Sequence, residues 1–308
     1  MNIETEWLMN RFLSIVAFVL FPLCPLCAQN TEVEQDLFES MRNADKAVVV
    51  AVHYGVTDDS QRQLCIERFN SKLQAAFPQC AFREAWTSFP AVKQMKQRGQ
   101  TKWTLNAVLD DLCMEGYTHV LVQSSNIVEG VEMEYIRHEA ALYANKFKQL
   151  RIGNTLLAEP GSYQQAIQAI AASFGEKKVA NVLVVGGEDS ESPSQFAMLD
   201  YMLRSGGYAN WFVVAEEGFP QAEELKKQLK AKKQKKVNLI PFTFAAEDHA
   251  QLNELEHELQ KAGYKVTLTE HTLGEVDGIL DLFIGHAKHA QRYRAYSPLE
   301  IKMQGALK

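Results

Sequence analysis

Short apolar segments alternate with amphipathic segments along almost the whole chain after Asn30. Ala47–His53 (AVVVAVH) is a nearly continuous apolar run, which is typical of a strand covered on both faces of a parallel sheet. Asp58–Phe77 follows it with apolar residues at helical spacing. Because strands that alternate with helices of about 10–15 residues form βαβ units, the pattern predicts parallel sheets.

The alternation occurs in two series of similar size. In the first series we predict strands at Ala47–His53, Phe82–Trp86, His119–Gln123 and Leu150–Ile152, and helices at Asp58–Phe77, Lys102–Glu115 and Glu132–Phe147. In the second we predict strands at Val179–Val185, Trp211–Ala215, Val237–Phe244 and Lys265–Leu268, and helices at Ser162–Phe174, Ser194–Arg204, Gln221–Gln234, after His249 and at Leu273–His289. We therefore expect an α/β protein with two similar lobes, residues 45–155 and 156–308, that face each other across a cleft.

The N-terminal residues differ from the rest of the chain. Phe12–Leu26 is an apolar run interrupted by prolines, and it ends shortly before Ala28. It is too short for a membrane span and resembles the core of a signal peptide. We expect residues 1–28 to be a signal peptide and residues 29–44 an N-terminal extension. The protein is then expected to be exported, to the periplasm or in association with the outer membrane, without a membrane span.

Composition narrows the possible partners. The chain has 38 acidic and 32 basic residues, which gives a formal net charge of −6. It lacks a basic stripe interleaved with aromatic residues, so we do not expect it to bind nucleic acid. Cys65, Cys80 and Cys113 match no zinc-binding spacing, and the sequence does not determine whether two of them form a disulfide. A homo-oligomer is compatible with the sequence but is not indicated by it.

One histidine lies where ligands commonly bind in this class of fold. The predicted strand Val237–Phe244 is followed by an acidic turn that contains His249, and a helix begins after it. In open α/β sheets, ligands bind at the carboxyl ends of the strands. His249 is therefore a candidate metal ligand or proton carrier, and the alternative is an ordinary exposed histidine near a helix start.

Five short pieces, spread along the chain in order, carry a resemblance to a known family. They are VLVQSSNIVEG at Val120–Gly130 with Glu132 and Glu134 after it, Asp200, EEGFP at Glu216–Pro220, EDHA at Glu247–Ala250 and LGE at Leu273–Glu275. On these pieces the chain, from Lys46 to Ala287, resembles the anaerobic cobalt chelatases, the sirohydrochlorin cobaltochelatases of cobalamin biosynthesis. The resemblance implies the two-lobed chelatase fold.

The resemblance also implies a metal site in the cleft, formed by two histidines and one glutamate of the second lobe. His249 corresponds to one of the histidines, and either Glu217 or Glu216 corresponds to the glutamate. Neighbouring strand residues face opposite ways, so only one of these two carboxylates can point into the cleft. The other family histidine is missing, because Gly186 and Gly187 occupy its place.

Three residues of the first lobe complete the candidate site. The resemblance implies a proton-accepting or metal-delivery role for Glu132, although the positive end of a helix dipole would also favour acids at Glu132 and Glu134. His53 ends the first predicted strand, where shorter relatives in the chelatase superfamily carry a metal-binding histidine. We therefore expect His53 and Glu134 to contact the tetrapyrrole. The alternative for His53 is a histidine that hydrogen-bonds a loop and binds nothing.

Two functions remain open at this point. The first is an exported chelatase-like protein that binds a tetrapyrrole, expected to be haem, together with Co²⁺ or Fe²⁺, either with insertion or removal of the metal or as binding alone. The second is an active sirohydrochlorin cobaltochelatase that inserts Co²⁺ for anaerobic cobalamin biosynthesis. Export and the missing histidine favour the first, since cobalamin synthesis is cytoplasmic. Whether Gly186 and Gly187 abolish catalysis is not determined by the sequence.

Overall fold

The computed structural model describes residues 32–186, 193–215, 219–246 and 250–295 of the 308-residue chain. Residues 35–293 form one compact unit. A second, small unit includes residues 32–34 and 294–295. Strands β1 (Glu32–Glu34) and β10 (Tyr293–Ala295) form a two-stranded sheet.

The first large sheet has four parallel strands in the order β3-β2-β4-β5. Its strands are β2 (Ala47–His53), β3 (Ala81–Trp86), β4 (His119–Ser124) and β5 (Gln149–Ile152). Its helices are α1 (Asp59–Gln61), α2 (Arg68–Ala76), α3 (Phe89–Gln97), α4 (Leu105–Met114) and α5 (Val131–Leu142), and a π-helical segment, Arg62–Glu67, joins α1 to α2. Every residue of β2 is buried, as expected for an apolar strand in the middle of a covered sheet.

The second large sheet repeats this arrangement, with four parallel strands in the order β7-β6-β8-β9. Its strands are β6 (Ala180–Val185), β7 (Trp211–Ala215), β8 (Lys236–Pro241) and β9 (Lys265–Leu268). The helices of this part are α6 (Pro160–Phe174), α7 (Pro193–Ser205), α8 (Ala222–Ala231), α9 (Ala250–Lys261) and α10 (Asp277–Arg292). In each sheet the second strand of the series pairs with the first at one edge, and the third and fourth follow on the other side. The predicted α/β fold with two similar lobes is confirmed.

One face of each sheet packs into a core that the two sheets share. Val49 and Ala51 of β2 belong to this core together with Leu183 and Val185 of β6. The alternate residues of the strands face the other way and form a separate cluster for each sheet, with α4 and α5 in one and α8 and α9 in the other. This division follows from the two-residue period of a strand, which directs successive side chains to opposite faces.

Helix α10 follows the second sheet in the chain but packs against the first one. It lies against β4 and β5 and against helices α2 and α6. Phe283 of this helix is fully buried and contacts the ring of Phe69 of α2, with 5.5 Å between the ring centroids. At the end of the helix, the guanidinium of Arg151 in β5 donates to the carbonyls of Ala290 and Gln291 at 3.2 and 2.7 Å. The first lobe is therefore completed by a helix from the far end of the sequence.

The sequence analysis assigned no element to Phe89–Gln97, where the structure has α3. Only Ala91 and Met95 of this helix are buried, so the apolar positions are too few to form a clear helical period. Two residues could have indicated the start of this helix. Ser88 is its N-cap and accepts a hydrogen bond from the backbone N–H of Ala91, and Pro90 lies in its first turn.

Cys65, Cys80 and Cys113 are free thiols, so no disulfide joins any two of them. Within the described ranges, none of the helices is both long and apolar enough to cross a bilayer.

We expect Phe283→Ala to lower the free energy of unfolding by about 3–5 kcal/mol, because it leaves a cavity under α10. The ring is fully buried between Phe69 and Phe244, so little can relax into the space. Urea unfolding monitored by circular dichroism measures the change. Lys288→Ala, on the exposed side of the same helix, is the matched control and should change stability by about 0.5 kcal/mol or less. A similar result for both variants would contradict this packing.

Candidate functional site

The carboxyl ends of the first-sheet strands lie side by side. His53, the last residue of β2, is paired in register with Trp86, the last residue of β3. Val52 is paired with Ser124, which ends β4. The loops that follow these strands therefore leave from one edge of the sheet, the edge at which ligands bind in open α/β folds.

The carboxyl ends of the strands of the second sheet also lie side by side. Val185 of β6 pairs with Ala215 of β7, and Val184 pairs with Pro241 of β8, so three strands end at neighbouring positions. The segments that contain the predicted metal ligands follow these ends in the chain. The second sheet therefore also presents a carboxyl edge of the kind that binds ligands.

The predicted ligands themselves lie outside the described residues. Glu216 and Glu217 come directly after Ala215, Gly187 comes directly after Gly186, and His249 comes later in the loop that begins after β8. Within the described ranges there is no group of three or more His, Cys, Asp and Glu side chains that could hold a metal ion. The metal-binding roles of His249, Glu217 and Glu216 therefore stay predictions.

A reciprocal pair of hydrogen bonds joins the loop after β4 to the second lobe. The side-chain amide of Gln195, near the start of α7, accepts from the backbone N–H of Glu129 at 3.2 Å and donates to its carbonyl at 3.0 Å. The hydroxyl of Tyr163 donates to the backbone carbonyl of Gln195 at 3.3 Å. Because α7 is the helix that follows β6, this contact brings loops from the carboxyl edges of the two sheets together.

A second contact between the same edges is aromatic. The ring of His53 stacks on the ring of Phe244, which lies just after β8, with 6.0 Å between centroids and an interplanar angle of 24°. Phe69 of α2 contacts both rings edge-on, at 5.1 Å from His53 and 5.8 Å from Phe244. The end of β2 is thus packed directly against the loop that continues toward the predicted metal ligand His249.

His53 is 1% exposed, and both of its ring nitrogens are hydrogen-bonded. Nε2 lies 2.9 Å from Oδ1 of Asn70, and Nδ1 lies 2.9 Å from the hydroxyl of Ser125. The amide nitrogen of Asn70 donates to the carboxylate of Glu84, which can only accept, so Oδ1 is the atom that faces His53. Nε2 therefore carries the proton, and Nδ1 accepts from Ser125.

Burial, rather than the charges behind it, keeps His53 neutral. Burial lowers the pKa of His53 below its ordinary value, and the nearby Glu84 only partly offsets this effect. Burial would raise the pKa of Glu84, but the charge and hydrogen bond of Lys102 and the hydrogen bond from Asn70 hold this pKa below its ordinary value. The ammonium of Lys102 lies 2.5 Å from one carboxylate oxygen of Glu84, and the indole N–H of Trp86 donates to the same oxygen at 2.9 Å.

These contacts bear directly on the expected role of His53 as a tetrapyrrole ligand. Coordination of iron through either nitrogen would first have to break the hydrogen bond to Asn70 or to Ser125. Ser125 begins the loop after β4, so the contacts are those of the alternative interpretation, a histidine that hydrogen-bonds a loop. Asn70, Glu84 and Ser125 were not recognised from the sequence, because no local pattern connects residues so far apart in the chain.

Glu132 and Glu134 lie in the first turn of α5, which begins after Gly130 and has no side-chain cap. Negative charge is stabilised at this end of a helix. Glu134 is exposed, whereas Glu132 is half-buried and its Oε2 atom is fully enclosed. Among the residues that the structure describes, Oε2 has no hydrogen-bond partner. Since buried carboxylate oxygens almost always have a partner, this oxygen is exceptional, and the role of Glu132 as a proton acceptor stays a prediction.

Exposed aromatic side chains follow strands of both sheets. Tyr54 follows β2, and Phe89 begins α3 and contacts the ring of Tyr135 in α5 at 6.4 Å. Phe219, in the second lobe shortly after β7, is also exposed. Such side chains offer apolar surface to a flat ring system.

Sequence comparison relates the chain to known proteins. The model of the cobalt chelatase (CbiK) family matches residues 46–292. The chain is 27% identical over 256 residues to the sirohydrochlorin cobaltochelatase of Salmonella typhimurium, which covers 80% of this chain and 96% of that protein.

Solved structures show the same fold. SirB from Bacillus subtilis with Fe³⁺ has a TM-score of 0.59 at 15% identity, and it covers 80% of this chain and 96% of its own. The sirohydrochlorin chelatase SirB from Bacillus subtilis subspecies spizizenii, in complex with cobalt, has a TM-score of 0.55 at 15% identity, covering 80% and 95%.

We expect the buried neutral state of His53 to make stability depend on pH. The folded-state pKa of His53 lies below the ordinary value of 6.5. Above pH 6.5 the imidazole is therefore neutral in both the folded and the unfolded chain, and its protonation costs no stability. As the pH falls below 6.5 the unfolded chain gains the proton first, and stability is lost. Urea unfolding at pH 7.5 and 5.5, above the range of ordinary carboxylates, should show a smaller loss for His53→Asn than for wild type, by about 1 kcal/mol.

The matched control is His257→Asn, because His257 is exposed on α9. His119 and His286 also have pKa values lowered by burial, so part of the pH dependence should remain in both variants. If wild type and His53→Asn lose equal stability between the two pH values, His53 is not held neutral.

Proposed function

The chain belongs to the cobalt chelatase (CbiK) family, and on that premise we propose that it binds a tetrapyrrole and a divalent metal ion at the carboxyl edges of its two sheets and transfers the metal into or out of the ring. The observation that carries the proposal is the enclosed Oε2 of Glu132, which has no hydrogen-bond partner among the described residues. It lies at the edge where the loop after β4 meets the second lobe through Glu129 and Gln195.

Metal insertion needs a base at this place. A divalent ion that enters a free-base tetrapyrrole displaces two pyrrole protons, and removal of the metal returns them. An unpartnered carboxylate oxygen can accept one of these protons without first giving up another hydrogen bond. We assign this role to Glu132. Glu134, exposed in the same helical turn, is our candidate for contact with the edge of the ring.

His249 is proposed as the principal metal ligand, with Glu217 or Glu216 as its partner. A neutral imidazole suits Co²⁺ and Fe²⁺ better than a second carboxylate would. The titles of the similar solved structures name cobalt and Fe³⁺ as bound metals, which supports a first-row transition metal as the substrate here. Gly186 and Gly187, where the family has its second histidine, leave fewer ligands, which favours a weakly held metal in transit.

Haem capture is the second candidate function. It is favoured by the loss of the family histidine at Gly186 and Gly187, because a ring that already contains its metal needs fewer protein ligands for that metal. The apolar run Phe12–Leu26 supports export to a compartment in which haem is a plausible ligand. We leave His53 out of the ligand set, since both of its nitrogens already have hydrogen-bond partners.

One experiment separates the two functions. Purified protein from residue 29 onward is mixed with sirohydrochlorin plus Co²⁺ and, separately, with haemin, and absorbance spectra are recorded over time. Metallation above the uncatalysed rate supports the chelatase. A haemin Soret shift without metallation supports capture. N-terminal sequencing of the protein from its native compartment tests export, which would be contradicted by retention of Met1 or Met9.

We expect Glu132→Gln to lower the rate constant of metallation by about 100-fold or more, because the amide keeps the shape of the side chain but cannot act as a base. The affinity for sirohydrochlorin, measured by absorbance titration, should stay close to that of wild type. Glu139→Gln, at a half-buried position of the same helix, is the matched control and should retain the wild-type rate. An unchanged rate in Glu132→Gln would place the base elsewhere.

We expect His249→Ala to weaken Co²⁺ binding by about tenfold or more, which corresponds to roughly 1.4 kcal/mol. Isothermal titration calorimetry without tetrapyrrole measures this affinity. His271→Ala is the control, because His271 is an exposed histidine that pairs with Glu275. Equal Co²⁺ affinity of His249→Ala and wild type would remove His249 from the ligand set.

A further inference from the structure

The backbone carbonyl of Phe244 is held by a loop that precedes the last helix. Strand β8 ends at Pro241, earlier than the predicted strand Val237–Phe244. Beyond it, the Phe244 carbonyl accepts from the N–H of Gly274 at 2.8 Å and from the hydroxyl of Thr272 at 3.0 Å. A carbonyl can only accept, so the single hydroxyl proton of Thr272 is directed at Phe244. Thr272 is fully buried, which protects this bond from water.

Gly274 is required for this close approach. A Cβ atom at this position would lie 2.6 Å from the Phe244 carbonyl oxygen and 2.6 Å from Cβ of Cys65. Real Cβ atoms do not come so near to a backbone oxygen, so any larger residue would push Phe244 or Cys65 out of place. The short LGE sequence that contains Gly274 thus has a physical role in positioning the loop after β8.

The first lobe supports the same contact from behind. Cys65 belongs to the π-helical segment, and its sulfur lies 3.3 Å from the hydroxyl oxygen of Thr272. Burial raises the pKa of the Cys65 thiol to about 11, so it remains neutral. Gln61, directly before this segment, accepts from the backbone N–H of Ala246 at 3.5 Å. Local π-helical turns are frequent at functional sites.

Phe244 is therefore fixed at both its backbone and its ring. Thr272 and Gly274 hold the carbonyl, while His53 and Phe69 enclose the ring. The chain continues from this residue through Ala246 toward His249.

We propose that Thr272 and Gly274 are positioning residues for metal binding: by holding the carbonyl of Phe244 they fix the start of the segment that leads to His249. The inference rests on the proposed function for its metal-binding consequence. It does not rest on that function for the local effect on Phe244–Ala246, which can be measured without metal.

Thr272→Val tests the local effect, since it keeps the shape of the side chain and removes the hydroxyl. Hydrogen exchange of the peptide that contains Phe244–Ala246, measured by mass spectrometry, should become faster. Thr272→Ser should restore slow exchange. Thr267→Val is the matched control: the hydroxyl of Thr267 also donates to a backbone carbonyl, that of Val237, but within the strands of the second sheet.

Co²⁺ titration tests the consequence for the metal. We expect Thr272→Val to bind Co²⁺ about tenfold more weakly, the lower end of the usual effect of losing a group that orients a metal ligand. The KM for sirohydrochlorin should stay unchanged while kcat falls. Glu275→Ala, which opens the capping box around Thr272 but leaves its bond to Phe244, should bind Co²⁺ almost as wild type does.

The outcomes separate this inference from the proposed function. If wild type binds Co²⁺ and His249→Ala does not, equal affinity in Thr272→Val and wild type overturns the inference alone. If wild type binds no Co²⁺, the proposed function fails and the metal-binding inference fails with it, whatever the exchange data show. Unchanged exchange at Phe244–Ala246 in Thr272→Val overturns the inference in either case. A lower melting temperature with wild-type Co²⁺ affinity would assign Thr272 a structural role only.

Discussion

The packing of Phe244 between the two lobes is the interaction on which the rest of the site depends. Its ring contacts His53 and Phe69 of the first lobe and Phe283 of the last helix. Burial of such a ring contributes about 1.5–3 kcal/mol, and each well-placed aromatic pair adds about 0.5–1.5 kcal/mol. These rings come from four separate elements. Their packing therefore joins the two sheets, holds α10 against the first lobe and fixes the loop after β8.

Two groups of the first lobe differ in how completely their hydrogen bonds are satisfied. On the side of the first sheet, His53 is kept neutral and Glu84 ionised, and each hydrogen bond between them has a defined direction. At the first turn of α5, by contrast, Glu132 keeps an enclosed oxygen without a described partner. A buried acceptor without a hydrogen-bond partner lowers the free energy of unfolding by about 1–3 kcal/mol, because it has lost its contacts with water. The satisfied network holds the loop after β4, and the unsatisfied carboxylate is the group that we propose as the proton acceptor.

The fold could be predicted largely from the sequence, whereas the site could be predicted only in part. Continuous apolar runs such as Ala47–His53 identified the buried strands, because only a strand covered on both faces needs apolar residues at every position. The helix Phe89–Gln97 was missed because few of its residues are buried. Glu132 was proposed because it follows a recognised motif, and its role stays a prediction. His53 was found by its position at a strand end, but its hydrogen bonds favour a structural role over the expected one.

The sequence by itself determined the order of the strands and of most helices, the two similar lobes and the family, since these depend on local periodicity and on short motifs. Only the tertiary structure decided what His53 touches, because its partners Asn70 and Ser125 lie 17 and 72 residues away in the chain. The same is true of α10, which the chain order assigns to the second lobe and the packing places on the first sheet. Hydrogen-bond direction and burial depend on contacts between distant residues, and no local pattern of apolar and polar positions contains that information.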